Sequence, residues 1–393
     1  MAPSIIQRRL KSRRSLRVVD PMSGSGTTVL AARFYGHRAI GFDTDPLALL
    51  IARASSLDLA PERLRERAGR VLLGARDSYR SVPVGSAYPA GADAETRAFI
   101  RFWFDTTNRR QLAALAASIA KVRAPEDRAV LWCAFSRMII TKEAGVSLAM
   151  DVSHSRPHRV YERAPVRPFG RFLPSLDRVI EASHFLSGAP LPAAEVRRAD
   201  ARNIPLRDRS ADIVITSPPY LNAIDYLRGH KLTLVWMGHQ VADLRDLRAN
   251  SIGAERLHRA EDASAFSPFL RKTVRGFEKL PARAQAMVGQ YFADMRCVLA
   301  EIARILKPSG EAVVVVGNST IRGVFINTSG VLARIARTHG LRRTSATRRE
   351  LPENRRYLPP PGRIRAGEAL KSRMNEEVVL AFRKAPCPNV GRK

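Results

Sequence analysis

Residues 16–20 form a short apolar run that stops at Asp20. The chain then passes through Pro21-Met-Ser-Gly24-Ser-Gly26-Thr27-Thr28 before a second apolar run opens at Val29. Strand, glycine-rich turn and helix in that order constrain the fold more than any other feature, because the pattern repeats at once. Arg38–Asp43 reads as a second strand that again ends in an acid, and Pro46–Ser55 as a second helix. Two successive β–α units predict a parallel sheet flanked by helices, an α/β architecture.

The rhythm then changes. Residues 57–195 are mostly helical in period, with helical pieces at 97–104, 111–122, 128–140 and 176–186. Breaks rich in proline and arginine, at 155–159 and 163–171, separate them. This is the pattern of a helical insertion. The α/β rhythm resumes at Val196, with strands expected at 196–199, 212–216, 311–316 and 377–382 and helices at 291–306 and 330–339. Residues 241–283 read as a charged helical stretch suited to a lid or a nucleic-acid contact, and 351–365 as a loop. The expected division is 1–57 and 196–384 for the two parts of one α/β domain, 58–195 for the insertion, and 385–393 for a disordered tail.

Composition narrows the class. The 393 residues carry 66 Lys+Arg against 36 Asp+Glu, a formal charge of +30. Arginine-rich codon usage accounts for part of such an excess, and a polyanionic partner for the rest, since phosphate neutralisation supplies most non-specific nucleic-acid affinity. No apolar run is long enough to predict a membrane span, and the basic residues 1–17 lack the apolar stretch of a secretory signal. Cys133, Cys297 and Cys387 are scattered and odd in number, which suggests neither a disulfide framework nor a zinc site. A reducing cytoplasm is the expected location.

Two segments carry chemistry. In Asp212-Ile-Val-Ile-Thr-Ser217-Pro218-Pro219-Tyr220 an apolar strand ends in a hydroxyl, two prolines and an aromatic ring. Proline cannot continue a strand or enter a helix interior, so the chain leaves the sheet in a fixed extended shape. That shape presents a hydroxyl, a carbonyl and a ring to one small planar group, as chemistry on the exocyclic amine of a flipped base requires. In the other segment, Gly24 and Gly26 allow a tight turn and close approach to a ligand, and Thr27 and Thr28 open a helix whose free N–H groups favour an anionic group. A nucleotide-triphosphate loop would need a lysine that is absent, and a dinucleotide fingerprint would need a small residue where Val29 stands. A purely structural turn stays open. Asp43, about twenty residues after the loop, is placed to bind the hydroxyls of a ribose. Asp45 competes with it but is also suited to cap the helix that begins at Pro46. Asp200, after the 196–199 strand, could accept from an adenine amine or be an ordinary turn aspartate.

Taken together, Asp20-Pro-Met-Ser-Gly-Ser-Gly-Thr-Thr, Gly-Phe-Asp43, Ala-Asp200-Ala and Thr-Ser217-Pro-Pro-Tyr220 resemble the S-adenosylmethionine-dependent DNA amino-methyltransferases, which act on cytosine N4 or adenine N6. Leu306-Lys-Pro-Ser-Gly310, Val316-Gly-Asn318 and Met374-Asn-Glu-Glu-Val378 add to the match, which spans roughly residues 1–57 and 196–384. The resemblance implies a Rossmann-like class I methyltransferase fold, a mostly parallel doubly wound sheet, interrupted here by the helical insertion. It implies that Asp20, Pro21, Ser23, Gly24, Gly26, Thr27 and Thr28 hold the methionine part of S-adenosylmethionine. Asp43 would hold the ribose, and Asp200 with Ala201 the adenine. Ser217 and the Pro218 carbonyl would accept from the target amine, Pro219 would fix the turn, and Tyr220 would stack on the flipped base. Serine at position 217 resembles the cytosine-N4 branch more than the adenine-N6 branch.

The cofactor motif precedes the catalytic one, as in the permutation class that carries its target-recognition region between the two. Residues 58–195 occupy that place without spelling out how a base is read. The N-terminal helix that caps the cofactor pocket in the family is reduced to residues 2–10. The implied partners are DNA and a cognate restriction nuclease. Rival readings are an RNA guanine-N2 or adenine-N6 methyltransferase and a nucleic-acid-binding protein with a degenerate methyltransferase fold. Secondary candidates for the cleft are His154, His158, Asp225, Tyr226, Arg228, His230, Lys231, Trp236, Arg355, Arg356 and Arg373, each also readable as loop, packing or surface. Cys387, although preceded by Pro386, lies too far from any strand end to be a nucleophile.

Overall fold

The computed structural model describes residues 15–154, 157–183, 192–221, 225–254, 260–350 and 376–386. The chain forms two compact units. The first comprises residues 1–44, 191–224 and 249–393, and the second residues 45–190 and 225–248. The helical unit therefore takes in more chain than the 58–195 insertion read from the sequence. Among the described residues no helix is long and apolar enough to cross a membrane.

The first unit is built on seven strands: β1 Arg17–Asp20, β2 Arg38–Asp43, β3 Ala194–Arg198, β4 Ala211–Thr216, β5 Leu306–Val316, β6 Leu341–Glu350 and β7 Glu376–Lys384. Their order across the sheet is β6-β7-β5-β4-β1-β2-β3. The pairs β1/β2, β1/β4, β2/β3 and β4/β5 are parallel, and β7 alone runs against both its neighbours. This is the Rossmann-like, mostly parallel α/β sheet expected of the sequence. Central strands such as Ile213-Val-Ile215 and Val313-Val-Val-Val316 are buried. Strands covered on both faces carry near-continuous apolar residues of this kind, and their burial supplies most of the driving force.

The chain winds in one direction from β1 to β2 to β3, and in the other from β4 to β5. The reversal falls between β1 and β4, where Val18 lies opposite Ile213 and Val19 opposite Val214. In an open α/β sheet that switch point, at the carboxyl ends of the strands, is where a crevice for ligands opens. Gly41 keeps the packing tight near it. A Cβ there would come within 2.8 Å of Val29 Cγ2 and 3.0 Å of the Ser23 side chain.

Among the elements that the sequence does not announce, two are long. Strand β6 reads Leu-Arg-Arg-Thr-Ser-Ala-Thr-Arg-Arg-Glu and is largely exposed. It lies at the sheet edge, where pairing with β7 rather than an apolar pattern defines it, and its arginines discourage further strand addition. In the second unit, Pro61–Tyr79 is a helix that buries Leu64, Ala68, Val71, Leu72 and Ala75 on one face. Its other α-helices are Pro46–Ser55, Ala94–Trp103, Thr106–Ala120, Pro125–Ile139, Pro168–Ser183, Tyr226–Leu234 and Val241–Ala249, beside a short ladder of Ala149–Met150 with His158–Arg159. The stretch expected at 176–186 thus begins earlier, with Pro174 inside the helix. Several other ends also shift outward, most of all in the first unit, where the helix expected at 291–306 begins at Ala282.

Candidate active site

β1 brings Asp20 to the switch point and the glycine loop follows it. Gly24 and Gly26 have φ of 51° and 86°, a left-handed conformation in which a side chain would be strained. Gly26 is the residue before the helix Thr27–Phe34, so the loop delivers the N-terminus of that helix to the same edge. Asp43, at the end of β2, accepts a hydrogen bond from the Gly24 backbone N–H at 2.8 Å. Its carboxylate therefore shapes the loop as well as standing where a ribose partner is expected.

Asp20 is 2% exposed, and its backbone neighbour Met22 donates to it at 3.2 Å. Burial pushes its carboxyl up to about 6, against the pull of the Thr28 and Thr216 hydroxyls and the Met22 N–H, while the Asp43 charge acts in the same direction as burial. A buried carboxylate of this kind favours a cationic partner. The Ser23 hydroxyl beside it is buried and has no protein partner among the described residues. Pro21 is buried, and Thr27 is exposed at the helix start.

Asp200 follows β3 and is already engaged. Its Oδ1 accepts from the Arg202 backbone N–H at 2.9 Å, and its two oxygens share the Arg202 guanidinium, with Nη2 at 2.6 Å from Oδ2. The same guanidinium reaches the buried Asp294 at 2.8 Å and the Asn250 carbonyl at 2.8 Å. Arg202 is a residue the sequence reading passed over. Its position two residues after an aspartate was the available signal. Ala201 is buried between them.

On the other side of the switch point β4 ends at Thr216, and Ser217 begins the turn. That turn is pinned from several elements. The Ser217 hydroxyl is 3.3 Å from the Val315 carbonyl of β5, the Tyr291 hydroxyl donates to the Pro219 carbonyl at 3.0 Å, and Ser319 donates to the Leu221 carbonyl at 2.8 Å. Tyr291 thus takes the Pro219 carbonyl, not that of Pro218. The Tyr220 hydroxyl donates to Glu377 Oε1 on β7 at 2.6 Å. Burial, and then the Glu377 carboxylate, push the Tyr220 phenol well above its ordinary value, so it stays a donor. Pro218 is buried, Pro219 exposed and Tyr220 half-buried. The sequence gives Glu377 no role of its own; its signal is an acid directly before the buried apolar run 378–382.

The first unit thus holds every primary candidate: Asp20, Pro21, Ser23, Gly24, Gly26, Thr27, Thr28, Asp43, Asp200 and Ala201 on one side, and Ser217 to Tyr220 on the other. The secondary candidates sort differently. Asp45 caps the helix Pro46–Ser55, accepting from Leu47 and Ala48 N–H at 2.9 and 3.4 Å, and pairs with His230 Nδ1 at 2.5 Å. Asp225 is engaged by Arg248, and Trp236 is a core residue packed edge-on against Phe104. Tyr226 is 57% exposed. Burial and then the neighbouring Arg248 and Arg245 lower the Lys231 ammonium below its ordinary value. His158 lies in a two-residue ladder with Ala149–Met150. Arg355, Arg356, Arg373, Cys387, the 2–10 helix and the 351–365 loop lie outside the described residues, as does the side chain of His154.

These residues fit S-adenosylmethionine. Two buried or partly buried acids, an unpartnered buried hydroxyl and a glycine loop without Cβ obstruction at Gly24 match an ammonium, a ribose diol and close backbone approach.

No family model matches the chain. It is 20% identical over 370 residues to the type II methyltransferase M.MvaI of Kocuria varians, covering 86% of this chain and 78% of that protein. It is 21% identical over 387 residues to the type II methyltransferase M.BsoBI of Geobacillus stearothermophilus, covering 83% and 73%. A shorter match, 28% identical over 146 residues, joins it to the type II methyltransferase M.AvaI of Anabaena variabilis, covering 33% of this chain and 30% of that one. Solved structures align at low scores, among them a putative methyltransferase of Haloferax volcanii in complex with its Trm112 activator. That match has a TM-score of 0.37 and 11% identity and covers 98% of this chain and 89% of the other. The chain is therefore similar along most of its length to type II methyltransferases.

Proposed function

We propose that the protein is a DNA methyltransferase that acts on the exocyclic amine of a flipped base, with cytosine N4 as the target. The observation that carries the proposal is that the Ser217 turn leaves the strand paired with the one that ends at Asp20, so that the two motifs meet at one switch point of the sheet.

When bound, S-adenosylmethionine supplies an electrophilic methyl group on a sulfonium. The chain's own residues do the positioning. Asp20 would hold the methionine ammonium, Gly24 and Gly26 would let the backbone approach it, and Asp43 would hold the ribose. Asp200, braced by Arg202, would hold the adenine together with Ala201. Ser217 and the Pro218 carbonyl accept the two N–H bonds of the target amine. Those bonds would draw the nitrogen lone pair out of conjugation with the base and free it to attack. The ring of Tyr220, its hydroxyl tied back to Glu377, offers a face on which the base stacks. The cofactor held there would supply the methyl group, and the amine would give up one proton to solvent. The rate gain comes from alignment of the two reactants, with no covalent enzyme intermediate.

The charge of +30 suits a duplex partner. The larger segment of the second unit, residues 45–190, lies between the cofactor and amine motifs in sequence and is the natural reader of a DNA target. The similarity to type II methyltransferases suggests a cytoplasmic modification enzyme working beside a cognate nuclease. The test is incubation with methyl-labelled cofactor and either duplex DNA or tRNA, followed by digestion to nucleosides. N4-methylcytosine from DNA supports the proposal. N6-methyladenine from DNA would move the target base, and methylated guanine from tRNA would refute a DNA substrate.

A further inference from the structure

Three polar groups run in line from the amine-binding turn into the sheet. Ser217 Oγ lies 3.5 Å from the Tyr220 oxygen, and the Tyr220 oxygen lies 2.6 Å from Glu377 Oε1. Glu377 is 9% exposed, and its second oxygen is engaged by Arg349 on the neighbouring β6. Among the described residues the Ser217 hydroxyl has one further hydrogen-bond partner, the Val315 carbonyl.

A hydroxyl has one proton, and this arrangement fixes where each one points. A carboxylate paired with an arginine only accepts, so the Tyr220 proton is committed to Glu377. The Tyr220 oxygen can then only accept from Ser217. The Val315 carbonyl also only accepts. Whichever of the two receives the serine proton, the Ser217 lone pairs are what remain for a ligand, and that ligand must bring an N–H.

We propose that Glu377 is a positioning residue that sets the donor direction of the Tyr220–Ser217 pair, so that the turn selects an amino group over a carbonyl. The inference rests on the amine-methylation reading and assigns it a cause: a base with a keto group at this position, such as thymine or uracil, meets acceptors with an acceptor. Glu377 acts through Tyr220 and need not touch the substrate.

The substitution Glu377→Gln keeps the shape but adds an NH2 that can donate to the Tyr220 oxygen. That frees the tyrosine proton to point at Ser217 and occupy a lone pair meant for the amine. The expected result is a fall of about tenfold in kcat/KM for DNA, the scale of one misdirected hydrogen bond, with unchanged S-adenosylmethionine affinity by calorimetry. The double variant Y220F/E377Q should be no slower than Y220F alone, because the phenol whose direction Glu377 sets is gone. A merely structural role would make the two losses multiply. Wild-type rates for E377Q, or multiplying losses, overturn the proposal.

A second readout does not depend on activity. With 13Cζ-labelled tyrosine, the resonance missing from the Y220F spectrum identifies Tyr220, and it should shift in E377Q. An unmoved resonance refutes the link between Glu377 and Tyr220 whatever the substrate is. A resonance that shifts in E377Q, together with a wild-type protein that methylates no DNA, would uphold the link and refute the DNA amine-methylation reading.

Discussion

Replacing Asp20 with asparagine should make the protein more stable and its cofactor site weaker. Asp20 is 2% exposed, so solvent screens it little. Its folded carboxyl titrates near 6 against an ordinary 3.8. A raised carboxyl favours the fold when protonated. That stabilisation is complete below the unfolded value and is lost as pH rises through the folded one, so the ionised group costs ~3 kcal/mol at neutral pH. Asparagine removes the charge, keeps an acceptor for the Met22 N–H, and gives up one acceptor to the threonine hydroxyls, worth ~1 kcal/mol. The net gain is ~2 kcal/mol at pH 7.5. At pH 5.0 Asp20 is already mostly protonated in the fold, and the advantage shrinks by ~1.4 kcal/mol. Urea unfolding of wild type and D20N at the two pH values, without cofactor, measures both quantities. A D20N variant that is less stable at pH 7.5, or an advantage that does not change with pH, would refute the argument. The same variant should bind S-adenosylmethionine more weakly, because the buried charge is then absent from the place where a cation is expected.

Other substitutions probe separate parts of the account. Ser217→Ala should lower kcat/KM for DNA at least tenfold, about the worth of one hydrogen bond to the amine, and leave calorimetric cofactor affinity unchanged. Gly41→Ala sets a Cβ 2.8 Å from Val29 Cγ2, and overpacking of this kind should cost ~1–3 kcal/mol, read as a lower Tm. Asp45→Ala removes the cap of the helix Pro46–Ser55 and the partner of His230. It should cost ~1–2 kcal/mol of stability in urea unfolding.

What the sequence made legible, and what it did not, follows from how far each signal reaches along the chain. The β1–loop–helix unit and Asp43 were visible because strand, turn and helix are set by neighbours in sequence, and the structure puts β2 at the bounds read from its apolar run. Asp45 showed its capping role because a cap is local to its helix. The partners that complete the amine turn were invisible. Glu377 lies 157 residues from Tyr220 in sequence and Val315 lies 98 residues from Ser217, joined only by the sheet order. Strand β6 could not be seen because pairing at an edge, and no apolar alternation, makes it a strand. Asp200 illustrates a different gap: the aspartate was legible, but the Arg202 bridge that ties it to Asp294 is a tertiary fact.

The central claim is that the Ser217 turn and the Asp20 loop together form an amine-methylating site for DNA. The most direct test is mass spectrometry of nucleosides from the DNA of cells expressing the wild-type protein or S217A, grown in a host that lacks its own N4-methylcytosine. The account predicts N4-methylcytosine in the first and a trace or none in the second. Equal amounts in the two, or no methylated base in DNA at all while tRNA gains methyl groups, would contradict it.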